Sequence, residues 1–196
     1  MNKLQWKPST MLNPVPVVMV ACADAKGRPN IITVAWTGTV SSDPPMVSIS
    51  LRKERYSHGL ISGSGHFTLN LVTRRLLRAA DFCGVRSGRD TDKFGELGLT
   101  PLPASMVGAP LIAESPVNIE CEVAAVHPLG SHDLFLARIV AVNVDEKLVD
   151  AKGRLRLDRA GLVCYNHGEY FGLSGKALGY FGYSVRRRKK LKRSRR

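Results

Sequence analysis

The sequence predicts a mainly β domain, a six-stranded antiparallel barrel with Greek-key connections and a few short helices. Three observations carry that expectation. Apolar or alternating runs of strand length recur along the chain. Gly, Pro, Asp and Ser clusters punctuate them. Few long helical patterns intervene, and closure is how an antiparallel sheet of this size hides its edges.

From Val15 to Ala23 the chain is almost continuously apolar and rich in valine, as a buried strand is. Asp24 to Pro29, with Gly27, supplies a turn into a second strand from Asn30 to Thr39, which Ser41-Ser42-Asp43-Pro44-Pro45 should stop. Met46 to Leu51 alternates as a half-buried strand does, and His66 to Val72 repeats the pattern after a short helix near Ser57 to Ser62. Arg74 to Cys83 reads as helix. Gly84 to Gly98 reads as a loop carrying Ser87-Gly88-Arg89-Asp90 and a short amphipathic piece around Lys93 and Phe94, the kind of segment that binds ligands. Val117 to Val126 and His132 to Asp145 form a long hairpin across His127-Pro128-Leu129-Gly130-Ser131, and Leu162 to Tyr165 adds a short strand.

A chain of 196 residues suits one domain with a sizeable core. The net charge of +13 suggests nucleic acid until it is located: Arg186 to Arg196 holds nine Lys or Arg and no acid. Without that run, 20 basic residues face 16 acidic ones, a net of +4. The expected organisation is a folded unit over residues 1–185 and a basic, disordered tail over 186–196. Cys22, Cys83, Cys121 and Cys164 are too far apart for CxxC pairs and read as free thiols, which suits a reducing cytoplasm. No stretch approaches the roughly 20 apolar residues of a membrane span.

Several chemistries lose their support. Gly63-Ser64-Gly65 lacks the third glycine of a dinucleotide fingerprint and precedes a strand. Gly175-Lys176 is not a phosphate loop, since Tyr170 stands where the first glycine should be and Ala177 follows the lysine. No HxxxH, HExxH or GxSxG pattern occurs, so neither a metal site nor a hydrolytic nucleophile is expected.

Seven stretches, in order from about residue 11 to 185, carry a resemblance: Asn13-Pro14-Val15-Pro16-Val17-Val18, Ala35-Trp36-Thr37-Gly38, Ser42-Asp43-Pro44-Pro45-Met46, Arg55-Tyr56-Ser57, Asp81-Phe82-Cys83-Gly84, Ser87-Gly88-Arg89-Asp90 and Ser131-His132-Asp133. Together they resemble the flavin reductase-like family, and within it the flavoredoxins. The resemblance implies a split β-barrel that forms a homodimer and binds FMN at the interface.

A phosphate needs basic side chains, hydroxyls and free backbone N–H groups, and Arg55-Tyr56-Ser57 opening a helix has that makeup. The resemblance adds Lys93 as a phosphate partner with His132 nearby. The flavin ring needs an apolar platform with backbone polar groups, which the segment Thr33, Val34, Ala35, Trp36 and Thr37 can offer. By resemblance Trp36 borders the ring, Asn30 and Tyr165 are further contacts, and Ser48, Ile49 and Ser50 line the other side. Cys83 joins these cofactor candidates, although a cysteine without a basic partner in sequence is more often simply buried. The bland alternatives are a core Trp36, a solvated Lys93, a surface His132 and a helix-capping Ser57.

The implied reaction is hydride transfer from NADH or NADPH to the flavin, with the protein supplying alignment and no catalytic nucleophile. The rival is an electron carrier of the flavoredoxin type that accepts electrons from a protein donor. A third reading makes the basic tail a nucleic-acid or acidic-partner arm, though it lacks the interleaved aromatics that stack on bases.

Overall fold

The computed structural model describes residues 1–173 and 177–185, so the basic run from 186 to 196 lies outside the described residues. Strands β1 (Val15–Pro16), β2 (Val18–Ala23), β3 (Pro29–Val34), β4 (Thr37–Ser42) and β5 (Pro45–Arg52) precede helix α1 (Tyr56–Ser64) and strand β6 (His66–Leu71). A 3-10 turn at Arg74–Leu76 leads into α2 (Leu77–Val85), then α3 (Lys93–Leu97) and the short strands β7 (Pro101–Leu102) and β8 (Leu111–Ile112). The long hairpin β9 (Val117–Pro128) and β10 (His132–Val144) follows, and β11 (Val163–Asn166) pairs with β12 (Glu169–Gly172).

The main sheet is antiparallel throughout, in the order β3-β2-β6-β9-β10-β5-β4. Its two edge strands, β3 and β4, are neighbours in sequence, separated only by Ala35 and Trp36. A link that short spans only about 3.3–3.6 Å per residue. The sheet must therefore curl until its edges approach, which makes it a barrel, split along the seam between β3 and β5. The Ser50 N–H donates to the Trp36 carbonyl at 2.9 Å, which carries the β4–β5 ladder one residue further, as far as the link itself.

This corrects the strand count. The expected strand from Asn30 to Thr39 breaks at Ala35-Trp36, and its second half crosses to pair with β5, so the barrel sheet has seven strands instead of six. The expected stop at Ser41 to Pro45 is a tight hairpin turn at Asp43-Pro44, with Ser42 paired to Pro45. Strand β11 matches the expected short strand, but its partner β12 was not anticipated.

Strand β2 explains its own composition. Val18, Val20 and Cys22 face the barrel interior with Val34, Ile49, Phe67, Leu69 and Phe135, and Ile61 of α1 joins them. Val17, Met19 and Ala21 face outward into a second core with Leu76, Ala80, Cys83, Phe94 and Ile112. A strand buried on both faces has no use for polar alternation. Between β9 and β10, register shifts at Leu136/Ala137 and Ile139/Ala141 bend the ribbon as bulges do.

Glu120 on β9 is fully buried, and its carboxylate accepts from Ser105 N (3.1 Å), Ser105 Oγ (2.8 Å), Met106 N (2.6 Å) and Asn143 Nδ2 (2.8 Å). Burial alone would raise its pKa, but these donors together outweigh it and hold the carboxyl at about 2. The side chain thus pins the 103–110 loop to the sheet.

Candidate functional site

The barrel seam opens into a cleft. One depression of about 300 Å³ is lined by residues 32–36 of β3 and its exit, Ser50, Leu51 and Arg52 of β5, and Arg55, His132 and Tyr165. A second, of about 390 Å³, is lined by Arg52, Glu54, Arg55, Tyr56 and Ser57, by residues 86–89, and by Lys93. The two share Ile32, Arg52 and Arg55, so they form one continuous cleft with an aromatic end and a cationic end.

The aromatic end follows from the break in the second expected strand. Leaving β3 at Val34, the chain turns through Ala35, with the Thr37 N–H donating to the Ala35 carbonyl at 3.1 Å, and sets Trp36 beside the seam. Trp36 meets Tyr165 edge to face, with centroids 6.4 Å apart and rings at 82°. Tyr165 meets Tyr170 at 5.8 Å, and the Tyr170 phenol donates to Asp81 Oδ1 at 3.2 Å. Burial, with the Asp81 charge adding to it, pushes that phenol up to about 12, so it stays protonated.

The cationic end holds Arg52, Arg55, Arg86, Arg89 and Lys93 against the single carboxylate of Glu54. Its floor is an ordered polar layer. Ser57 is buried and accepts from Asn30 Nδ2 at 2.7 Å, so it is neither solvated nor the cap of α1, whose capping position is Arg55. A β-carbon placed on Gly88 would collide with the Asn30 carboxamide and lie 3.1 Å from the Tyr56 ring. Lys93 is buried, and its ammonium donates to the carbonyls of Ile31 (2.6 Å) and Cys83 (2.9 Å). Burial pulls its pKa down, with Arg55 adding to the fall and the Cys83 and Cys22 thiols opposing it. An ammonium has three donors, so one remains for an anion in the cleft. Arg89 lies over the Tyr56 ring at 5.6 Å and donates to the Glu54 carbonyl at 3.1 Å, which holds that wall in place.

Helix α1 is anchored from behind. His58 Nε2 meets Asp133 Oδ2 at 2.9 Å, and Lys53 Nζ lies 3.4 Å from the other carboxylate oxygen. The His58 contact, with Lys53 behind it, holds the Asp133 carboxyl below its usual range.

Of the residues expected at a cofactor site, Thr33, Ala35, Trp36, Ser50, Arg55, Tyr56, Ser57, Lys93, His132 and Tyr165 line the cleft, and Asn30 lies beneath it. Thr33 reaches the cleft with its hydroxyl already committed to the Ala80 carbonyl on α2. Four lie elsewhere. Ile49 is fully buried in the barrel core, Thr37 donates to the Ser48 carbonyl at 2.8 Å behind the seam, and neither it nor Ser48 lines the cleft. Cys83 is on the buried face of α2, in the second core, where burial pushes its thiol up to about 11. His132 was expected beside the phosphate partner; it stands instead in the aromatic depression, with Nδ1 2.9 Å from Ser131 Oγ. Reasoning from sequence alone missed Arg52 and Arg86. The signal for Arg86 was its place flanking Ser87-Gly88-Arg89, while Arg52 ends a strand like many others. Among the described residues no cluster of His, Cys, Asp and Glu could hold a metal ion.

Gly88 leaves a cradle that a side chain would fill, and the donor set above it suits a doubly charged phosphate. A planar ring joined to that phosphate would fall against Trp36 and the seam backbone. The residues therefore fit a flavin mononucleotide.

Residues 10–174 match the family described as flavin reductase like domain. The flavoredoxin of Desulfovibrio vulgaris (Miyazaki F) superposes with a TM-score of 0.85 at 32% identity, covering 93% of this chain and all (100%) of that one. An uncharacterised protein of Aeropyrum pernix is 36% identical over 129 residues, 65% of this chain but only 48% of the relative's own length. The reductase component of an FADH(2)-dependent resorcinol hydroxylase from Rhizobium sp. is 27% identical over 135 residues, 66% of this chain and 70% of its own.

Proposed function

The chain belongs to the flavin reductase-like family, and from that premise we propose that the seam cleft holds FMN and that NADH or NADPH reduces it there. The observation that carries this reading is the continuity of the cationic and aromatic depressions, which share Ile32, Arg52 and Arg55. Bound FMN supplies the redox chemistry by accepting a hydride.

The chain's own residues bind and orient. Arg55, Arg86, Arg89 and Lys93 would neutralise the phosphate, while the Asn30–Ser57 hydrogen bond holds the floor in place. Trp36 and Tyr165 would wall the flavin ring at the aromatic end. His132, its Nδ1 held by Ser131, lines the aromatic end, where it would meet a polar group of either nucleotide. No group is asked to attack covalently, in keeping with alignment as the protein's contribution.

A second copy of the chain is part of the proposal. Val40 (51% exposed) on β4 and Val142 (54%) on β10 present apolar surface that a two-fold partner would cover. Four unpaired thiols suit a cytoplasmic setting. Residues 1–185 form the flavin reductase-like unit of this proposal.

The carrier reading shares the same cleft and is favoured by the likeness to flavoredoxin. The two separate on one experiment, anaerobic mixing of the FMN-loaded protein with NADH or NADPH. Rapid bleaching of the flavin band supports the reductase; a flavin that stays oxidised with both, yet bleaches with dithionite, supports the carrier.

A further inference from the structure

Outside the cleft, one face of the molecule carries cations that nothing in the fold employs. Arg74 and Arg75 on the 3-10 turn and Arg78 on the first turn of α2 are exposed, and none of them enters an ion pair among the described residues. Arg74 reaches across to β12, where a β-carbon on Gly172 would lie 2.6 Å from its Nε. Arg74, Arg78 and Asp81 follow one another at helical spacing, and Asp81 holds the Tyr170 phenol. The acids nearby, Glu114 and Asp145, have their carboxylates on the backbone amides of Thr100 and Lys147. Strand β12 is the open edge of its three-stranded sheet.

The second observation is where Tyr170 leads. Its ring is 5.8 Å from Tyr165, which is 6.4 Å from Trp36, and both of these line the aromatic end of the cleft. Packed rings thus run from this cationic face to the place where the flavin ring is proposed to sit. Electron tunnelling falls steeply with distance across empty space or water and less steeply through packed matter.

We propose that the Arg74, Arg75 and Arg78 face beside β12 docks an acidic one-electron carrier protein, and that the Tyr170, Tyr165 and Trp36 stack is the path by which its electrons reach the cleft. This rests on the flavin reading above. Each docking oxidises the carrier by one electron, and two dockings, with protons from solvent, complete the two-electron reduction of one flavin. The rings are neither oxidised nor reduced; they shorten the gap. Unpaired cations at the rim of an interface steer an acidic partner and set the salt dependence of its arrival.

The test uses the full chain loaded with FMN and a reduced, acidic [2Fe–2S] ferredoxin as probe, followed anaerobically by flavin absorbance. The second-order rate should fall steeply with added salt, and the double variant Arg75→Glu/Arg78→Glu should lower it about tenfold and flatten the salt dependence. Reduction by dithionite should be unchanged in that variant. Tyr170→Leu should keep the salt dependence and lower the saturating rate, and Tyr170→Phe should restore it. A ferredoxin rate unmoved by charge reversal overturns the docking face; no reduction by ferredoxin of a flavin that dithionite bleaches overturns face and path together and leaves the flavin reading standing. An unchanged saturating rate in Tyr170→Leu overturns the path. A chain that retains no FMN overturns both this inference and the reading beneath it.

Discussion

Gly88 illustrates how little slack the cationic end has. Its missing side chain lets residues 86–89 close onto Asn30, and Asn30 is itself fixed by Ser57. Gly88→Ala must push the carboxamide out of that layer, and we expect FMN affinity to fall about tenfold, roughly 1.4 kcal/mol, in a fluorescence titration. Glu120 makes a different prediction, one of pH. Its carboxyl titrates at about 2 in the folded chain against 4.5 for the ordinary group, so its contribution is fully present above about 4.5 and is lost as pH falls toward 2. Glu120→Gln should flatten the acid side of the melting curve in that window. At neutral pH it should cost about 1–3 kcal/mol, because an amide cannot accept at both oxygens from Ser105, Met106 and Asn143. At this scale the sequence was partly legible. Residue type and motif pointed to Arg55, Ser57, Lys93 and Trp36, but which face of a strand or helix a residue takes depends on the break at Ala35-Trp36 and on α2. That is why Ile49 and Cys83 turned out to be core and His132 fell at the other end of the cleft.

Among the elements, α2 and β3 form the back wall of the site. The Thr33 hydroxyl ties β3 to the Ala80 carbonyl in the middle of α2, and a β-carbon placed on Gly84 would lie 3.4 Å from Thr33 Cβ, at the edge of ordinary contact. Thr33→Val keeps the shape and removes the bond, while the Ala80 carbonyl keeps its helical partner, the N–H of Gly84 four residues on. A loss of about 0.5–1.5 kcal/mol is expected, which lowers the melting temperature by roughly 2–4 °C per kcal/mol for a chain of this length. The alternating and apolar runs gave the positions of β2, β5, β6, β9 and β10 because half-burial and full burial leave different periods. They could not reveal that one run of strand-forming residues serves two sheet edges. Nothing in Ile31 to Thr39 distinguishes a continuous strand from one that breaks at Trp36, since both halves remain paired, each with a different neighbour. The β12 strand escaped for a related reason: its four residues, Glu169–Gly172, are too few to show a period.

For the whole molecule, the two-residue link between edge strands decides both shape and function. It closes the barrel and leaves the seam as a gap between β3 and β5, so the cleft is a consequence of topology that loops then decorate with charge. The exposed Val40 and Val142 lead to the expectation that the FMN-loaded chain sediments as a dimer of the 21.4 kDa protomer; a monomer at micromolar concentration would contradict it. Charge could be read only as a total and by its place along the chain. The cationic end of the cleft draws on β5, α1, the 86–89 loop and α3, and only folding brings them together. The central claim, that the seam cleft is a flavin site at which a nicotinamide nucleotide delivers hydride, is tested most directly by one anaerobic absorbance experiment on the chain loaded with FMN and mixed with NADPH, then NADH. The flavin should be retained and its visible band should bleach rapidly with at least one of the two; a retained flavin that stays oxidised with both, or a chain that holds no flavin, would contradict the claim.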